Sequence, residues 1–473
     1  MKIKLLIFTS LLIGWTLMFS QSIHQDILVG SWMGKVTTKD FSMRVMFRFD
    51  VKNNRVRGFI DCPDQGFKDL RIDKVVINKD SIFLDVTKSL NAGIIFKGLI
   101  IPGDSVIDGV WGGSMSLKLR PTKFIYNLKT KYKPEIDGYK IIHLIKTSPI
   151  KDQQLTGACW SFATTSFIET EALRLGKEPV VLSPVFYIPP TYIDKAEKYI
   201  RMNGKMDFTE GDLTFSVLKA YNEYGAIPET VYSGKVDNSA KHDHGDMNDS
   251  LLEKVKYYVN SGRGNMSPAV YRKEMADIIT ATLGKVPDTF TYHQKKYTPL
   301  SFAKEMIGIH SNDYVEITTF THHPFYSKFV LEIPSNWNNN YYLNLPLNDF
   351  NQVIDYSLLH NYSVCWDGDI YEGFNDGFAV LGDKDKIITQ QIRQTAFDNR
   401  TTEDVHNMHI IGIAENDKGN KFYIIKNSSD AKNCGGYIYM SKDYLLLKTI
   451  SVMVNKNAIP AEVLKKMSSD LVK

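Results

Sequence analysis

Between Ile27 and about Thr122 apolar positions recur every second residue in short runs. Met43, Val45, Phe47, Phe49 and Val51 fall on one side of such a run while Arg44, Arg48 and Asp50 fall on the other, which is the pattern of a half-buried strand. Similar runs occupy 56–60, 72–77, 81–86, 93–101, 106–111 and 115–119. Turn residues punctuate them at Lys52-Asn53-Asn54, Pro63-Asp64-Gln65-Gly66 and Pro102-Gly103-Asp104. About eight strands at this spacing, with almost no helical period between them, predict a small antiparallel barrel or sandwich over 27–122. A side-chain-filled interior or a partner-binding role is expected of it rather than a cavity for a small apolar ligand.

A stretch rich in Lys, Thr and Tyr, with Pro134, forms a linker over 123–138, and beyond it the period changes to that of helices. Asp212 is placed to cap a helix carrying Leu213, Val217, Leu218 and Tyr221 on one face, stopped by Gly225 and Pro228. Thr298-Pro299 opens another, with proline in the first turn where its missing N–H costs nothing. After about Cys365 strand-type runs return at 406–414 and 421–426. Helices first and strands afterwards is α+β order, so 139–473 is expected to be one α+β domain behind the β domain.

Composition sharpens this picture in three places. At 473 residues, 43% hydrophobic and 23% charged, the chain is ordinary globular protein too long for one core. Its net charge of +4 comes without a Lys/Arg stripe, which removes nucleic acid as a partner. Lys2 and Lys4 precede an apolar run from Leu5 to Phe19, which reads as a signal peptide over 1–20 and predicts an exported protein, periplasmic or extracellular, with no membrane contact after cleavage. The four cysteines, Cys62, Cys159, Cys365 and Cys434, are too few to make a disulfide framework in so long a chain.

One cysteine has informative neighbours. In Asp152-Gln153-Gln154-Leu155-Thr156-Gly157-Ala158-Cys159-Trp160-Ser161-Phe162-Ala163 a Gln stands six residues before a Cys-Trp pair that opens a helical stretch. A thiolate is the nucleophilic form of cysteine, and the unpaired N–H groups at a helix N-terminus favour it. The Cys159 N–H and the Gln153 amide are both placed to donate to an oxyanion formed by attack on a carbonyl, and Gly157 lets the backbone come close. The segment resembles the active-site signature of papain-like cysteine peptidases. In that resemblance a His opening a strand with Gly six residues later selects His406 and Gly412 over His409, and alternation turns only one of the two histidines to the cleft. Asn427, in Lys426-Asn427-Ser428-Ser429, matches the family's asparagine that orients the base, with Gly436-Tyr437 following; Ser429 stands where the family has a shielding Trp, a cover that Trp366 is a candidate to supply.

Tyr297-Thr298-Pro299-Leu300-Ser301-Phe302, Asn348-Asp349-Phe350, Val364-Cys365-Trp366 and His406-Asn407-Met408 resemble landmarks of the bleomycin hydrolase branch, as does the long insertion between Gly225 and His406. The resemblance implies an aminopeptidase acting on peptide or protein substrates, with Cys159, His406, Asn427 and Gln153 as its catalytic set. It also implies no cofactor and no metal, and it leaves the assembly open, with a homo-oligomer as one option. The N-terminal domain resembles the lipocalin-like modules found ahead of exported hydrolases. In that branch a C-terminal arm blocks the cleft; 459–464 resembles the approach to it, but the chain ends at Lys473, so an endopeptidase is the alternative mode. An inactive papain fold used for binding is a further alternative, and so is acyl transfer to an amine. His242-Asp243-His244 and His322-His323 are read as solvated loops rather than metal ligands, since polar residues such as Lys241, Asn248 and Asp249 flank the first.

Overall fold

The computed structural model describes residues 28–37, 42–52, 55–62, 67–87, 94–101, 105–122, 134–236, 241–261, 267–375, 377–382, 387–429 and 436–467. Residues 1–20, where the signal peptide is expected, lie outside them. The chain divides into two compact units, Met1–Asn127 and Leu128–Lys473. Among the described residues no helix is long and apolar enough to cross a membrane.

The first unit is a nine-stranded antiparallel sheet: β1 (Gly30–Thr37), β2 (Ser42–Lys52), β3 (Arg55–Cys62), β4 (Phe67–Arg71), β5 (Lys74–Asn78), β6 (Ser81–Asp85), β7 (Ile95–Ile101), β8 (Val106–Trp111) and β9 (Met115–Pro121). Its order is β4-β3-β2-β1-β9-β8-β7-β6-β5, a meander in which β9 returns to β1. The sheet curls into a half-barrel, and the Ile72 N–H donates to Gly58 O at 2.8 Å, continuing the β3–β4 ladder past Arg71. Val45, Phe47 and Phe49 of β2 are buried as the alternation requires, and Phe47 packs against Phe96 and Trp111 with centroids 5.6 and 5.9 Å apart. Val51, assigned to the same inner row, is exposed at the strand's end. The interior is filled by side chains. β4 is the strand that periodicity missed, because Lys68, Asp69 and Arg71 leave it no alternating apolar row.

The second unit is α+β. Strand β10 (Tyr139–Leu144) leads to helix α1 (Cys159–Arg174), followed by α2 (Ile188–Arg201), α3 (Thr214–Tyr224), α4 (Gly245–Asn260) and α5 (Pro268–Leu283). The strand half contains β11 (Tyr314–Thr318), α6 (Leu347–Leu359), β12 (Val364–Gly368), β13 (His406–Asn416), β14 (Lys421–Lys426), β15 (Tyr437–Ser441) and β16 (Thr449–Asn455). These strands run β11-β16-β12-β13-β14-β15, with β10 paired to β13 and short strands extending both edges. Every residue of α1 from Cys159 to Ala172 is buried, polar ones included, because the helix runs between the helical core around Phe167, Tyr187 and Met275 and the strand half. Burying a side chain such as Phe167 contributes roughly 1.5–3 kcal/mol, so α1 is anchored far more firmly than its own propensity would hold it.

One of the two expected helix starts differs in detail. α3 begins at Thr214 with Leu213 as its cap residue; Asp212 still serves the first turn, accepting from the Leu213 N–H and Ser216 Oγ. Thr298 does cap Pro299–Phe302, in a reciprocal box with Ser301.

Candidate active site

Cys159 is the first residue of α1, 8% exposed, with Ala158 capping the helix through its backbone only and no acidic side chain in the first turn. Gly157 N–H donates to Glu210 Oε2 at 2.6 Å, and a Cβ on Gly157 would lie 2.7 Å from Glu210 Cβ, so only glycine allows this approach. Glu210 also fixes the surroundings through its carbonyl, which accepts from Trp160 Nε1 and Tyr192 Oη, each at 3.0 Å. Cys159 Sγ lies 3.9 Å from Asn407 Oδ1. The expected fall in the thiol pKa is not what these surroundings produce. Burial pushes the thiol up to about 12, the charges of Asp404 and Asp367 add to the rise, and hydrogen bonds from the Asn407 and Trp160 backbones offset only part of it. Left to itself, Cys159 is a neutral thiol.

His406 opens β13 and is partly exposed. Its Nε2 is 2.8 Å from Asn427 Oδ1 at the end of β14, and that oxygen also accepts from the Ser428 N–H at 2.8 Å. An oxygen facing a ring nitrogen requires the proton to sit on Nε2, which makes Nδ1 the basic nitrogen of the ring. Gln153 is tied to the same segment: its N–H donates to Ser428 O at 2.8 Å, its Oε1 accepts from Ser428 Oγ, and its Nε2 donates to Thr156 O at 2.7 Å. One amide hydrogen of Gln153 is used by Thr156, and the second remains for another acceptor. Contacts therefore link the four expected residues in sequence, from Gln153 through Ser428 to Asn427 and His406, then through the neighbouring Asn407 to Cys159.

His409 is elsewhere. Three residues along β13, it is fully buried under α1, its Nδ1 2.9 Å from Ser166 Oγ and its ring edge-on to Phe167, and burial holds its pKa well below the usual imidazole value. Gly412 is glycine because β10 crosses there: a Cβ would meet His143 O at 2.5 Å. Trp366 does not cover the His406–Asn427 pair. Its ring lies in the core of the strand half with Nε1 donating to Thr449 Oγ1 at 2.8 Å.

Sequence reasoning passed over four side chains that shape the site. Ser428 and Glu210 hold the Gln153 and Gly157 backbones, and Ser428 was open to discovery as the neighbour of Asn427. Asp367 and Asp404 are treated below. It also misplaced His242 and His244, which are 6% and 1% exposed rather than solvated. Their segment docks on the loop bearing Gln153: the His242 N–H donates to Gln154 Oε1 at 2.6 Å, Leu155 pairs with Asp243, and the His242 ring packs edge-on to Phe162. The docking is non-local, so the charged flanks Lys241 and Asp249 concealed it. His322 and His323 both approach Glu332, at 3.1 and 2.6 Å, forming a partly exposed trio. The approach to the expected C-terminal arm packs into the strand core through Ile459, Val463 and Met467, and 468–473 lie outside the described residues.

A central helix opening with cysteine, set against an antiparallel sheet that carries a histidine and an asparagine, defines a papain-like cysteine peptidase. The Peptidase C1-like family model matches residues 210–473, more than half of the chain, and the chain belongs to that family. The match includes His406 and Asn427 and begins beyond Gln153 and Cys159. Aminopeptidase W of Lactobacillus delbrueckii subsp. lactis is 22% identical over 372 residues, covering 68% of this chain and 84% of that protein. The crystal structure of PepW from Lactobacillus rhamnosis shares the fold, with a TM-score of 0.56 at 17% identity over 69% of this chain and 84% of that one.

Proposed function

We propose that the protein is an exported aminopeptidase that cleaves peptides through Cys159, His406, Asn427 and Gln153. The observation that carries this reading is the 2.8 Å contact between His406 Nε2 and Asn427 Oδ1, with the Ser428 N–H on the same oxygen. It fixes the imidazole tautomer that a general base needs. Since Cys159 is neutral in the resting site, the thiol gives its proton to His406 Nδ1 as Sγ attacks the scissile carbonyl carbon. The developing oxyanion is met by the Cys159 N–H and the remaining Gln153 amide hydrogen. The protonated imidazole then hands its proton to the leaving amine. A water molecule, deprotonated by the same His406, hydrolyses the thioester and frees Cys159.

The exopeptidase mode draws on the 22% identity to Aminopeptidase W and on the landmarks shared with the bleomycin hydrolase branch. Export draws on residues 1–20 alone. Iodoacetamide should alkylate Cys159 in the native protein, and Cys159→Ala should lose all measurable hydrolysis of aminoacyl anilides while keeping its thermal midpoint. Hydrolysis that survives Cys159→Ala would sink the proposal.

A further inference from the structure

An aminopeptidase must hold the substrate's α-ammonium close to its nucleophile. The amine nitrogen is two bonds from the scissile carbonyl carbon, about 2.5 Å away by standard bond lengths. That carbon lies about 3–3.5 Å from the attacking sulfur in a productive complex. Any carboxylate that binds the ammonium therefore belongs to the immediate neighbourhood of Cys159. The two acids whose charge reaches the Cys159 thiol are Asp404 and Asp367.

Their placement is unusual. Asp367 stands directly across the β12–β13 ladder from Asn407, on the face that Asn407 presents to Cys159 Sγ. It is 2% exposed, and among the described residues no cationic side chain donates to either of its carboxylate oxygens. Its carboxyl meets the Gly368 backbone and the Asp404 carboxyl, and a hydrogen bond between two carboxyls requires that one hold a proton. Asp404 Oδ2 likewise has no donor, although Ser335 bonds the group. Independently of the acids, two buried polar groups beside them lack partners: Asn407 Nδ2 in a side chain 2% exposed, and the hydroxyl of the fully buried Tyr342. The rest of the acidic cluster is already served. Asp212 accepts from Trp337 Nε1 at 2.8 Å and faces Lys195 Nζ at 3.9 Å, while Glu316 accepts from Thr214 Oγ1. Burial raises the pKa of both acids, helped by the charges of Asp404 and Glu316 on Asp367 and of Asp212 on Asp404, and the more distant Lys195 offsets only part of the rise on Asp404.

We propose that Asp404, backed by Asp367, binds the α-ammonium group of the substrate. Asp404 is the partly exposed member and makes the contact, while Asp367 carries the proton that the pair shares and supports Asp404 from behind. The proposal rests on Cys159 being the nucleophile. It assigns amino-end selectivity to side chains of the strand half, whatever the C-terminal residues do.

The test compares alanine p-nitroanilide with its N-acetylated form on the full chain. Wild type should prefer the free amine by about 30–150-fold, the size of a charge-assisted contact of 2–3 kcal/mol. Asp404→Asn should lower kcat/KM for the free amine by about 10–100-fold, mainly through KM, and so collapse the ratio of free-amine to N-acetyl turnover. Asp367→Asn should act in the same direction with a smaller effect, and it guards against a folding defect at Asp404. Iodoacetamide should label Cys159 in both variants at least as fast as in wild type. Equal loss on both substrates, or an undiminished preference for the free amine in both variants, overturns the proposal. Absence of labelling and of all hydrolysis in wild type would instead overturn the peptidase mechanism, and the proposal with it.

Discussion

Two buried polar clusters lie along α1, one beside its middle and one at its start, and they are built differently. Beside the middle, Glu169 accepts from Ser148 Oγ, Lys151 Nζ and the Leu182 N–H. Lys426 donates to Ser148 O, Ser148 Oγ and Ser166 Oγ at 2.8, 3.1 and 2.7 Å, and Ser166 passes its own proton to His409 Nδ1. Charges of both signs are present and nearly every donor has an acceptor. At the start of α1, Asp367 and Asp404 face each other, and among the described residues no cation hydrogen-bonds either. A satisfied network rigidifies a fold, whereas a buried group left short of partners is costly and persists where something else completes it. The first cluster is scaffold: it pins the end of β14, and so Asn427, against α1. The second is a place for a ligand.

The largest effect should come from breaking the paired cluster. Glu169→Ala leaves Lys151 and Lys426 buried without their counter-charge, and removal of one partner from a buried ion pair costs about 3–5 kcal/mol. The urea midpoint should fall at unchanged slope. A loss below about 1 kcal/mol would mean the cluster is not the scaffold it looks like.

A second contrast lies on the other flank of Cys159. Burial depresses His242 to about 4 and His244 to about 3, so both are neutral in the fold and protonate in the unfolded chain near 6.5. The unfolded state therefore binds more protons between those limits, and stability is full above about pH 6.5 and lost as the pH falls toward 4. One such histidine accounts for about 2 kcal/mol between pH 6.5 and 5. His244→Gln should show that much less acid destabilisation by urea titration at the two pH values. Identical pH dependence in wild type and variant would exclude this histidine as the cause. Since the segment carries the loop of Gln153, acid should reduce turnover before global unfolding.

Much of this architecture is legible before folding, and the exceptions have physical causes. The helix at Cys159 and the alternation of β2 depend on local period, which sequence displays directly, whereas the choice of His406 over His409 drew on the resemblance to papain-like peptidases. The acids do not. All five residues of β12, from Val364 to Gly368, are buried, so no polar row marks an outer face and Asp367 looks like any strand residue. Asp404 lies before β13 with nothing in sequence to join it to Asp367; only the β12–β13 register does. Burial of His242 and the pull of Asp404 and Asp367 on Cys159 are likewise tertiary facts. The electrostatic expectation failed for the same reason: the field of α1 is visible in sequence, but the desolvation that outweighs it is not.

The smallest effect sharpens the contrast from the unpaired side. In the fold Asp367 is held protonated or repelled, with a pKa well above the usual carboxylate value, whereas in the unfolded chain it ionises near 3.9. The folded state therefore binds more protons than the unfolded one above that value, and the group's contribution becomes less favourable as pH rises. Asp367→Asn removes this linkage, keeps the shape, and offers an amide N–H to Asp404. The variant should be more stable than wild type by about 1 kcal/mol at pH 8, with the gain shrinking as pH falls toward 4. Thermal midpoints at the two pH values measure it. Glu169→Ala destabilises while Asp367→Asn stabilises and weakens recognition of the free amine, and only a cluster kept for binding behaves in that way. If Asp367→Asn destabilised the protein as Glu169→Ala does, both clusters would be scaffold and the ammonium would have to be bound elsewhere.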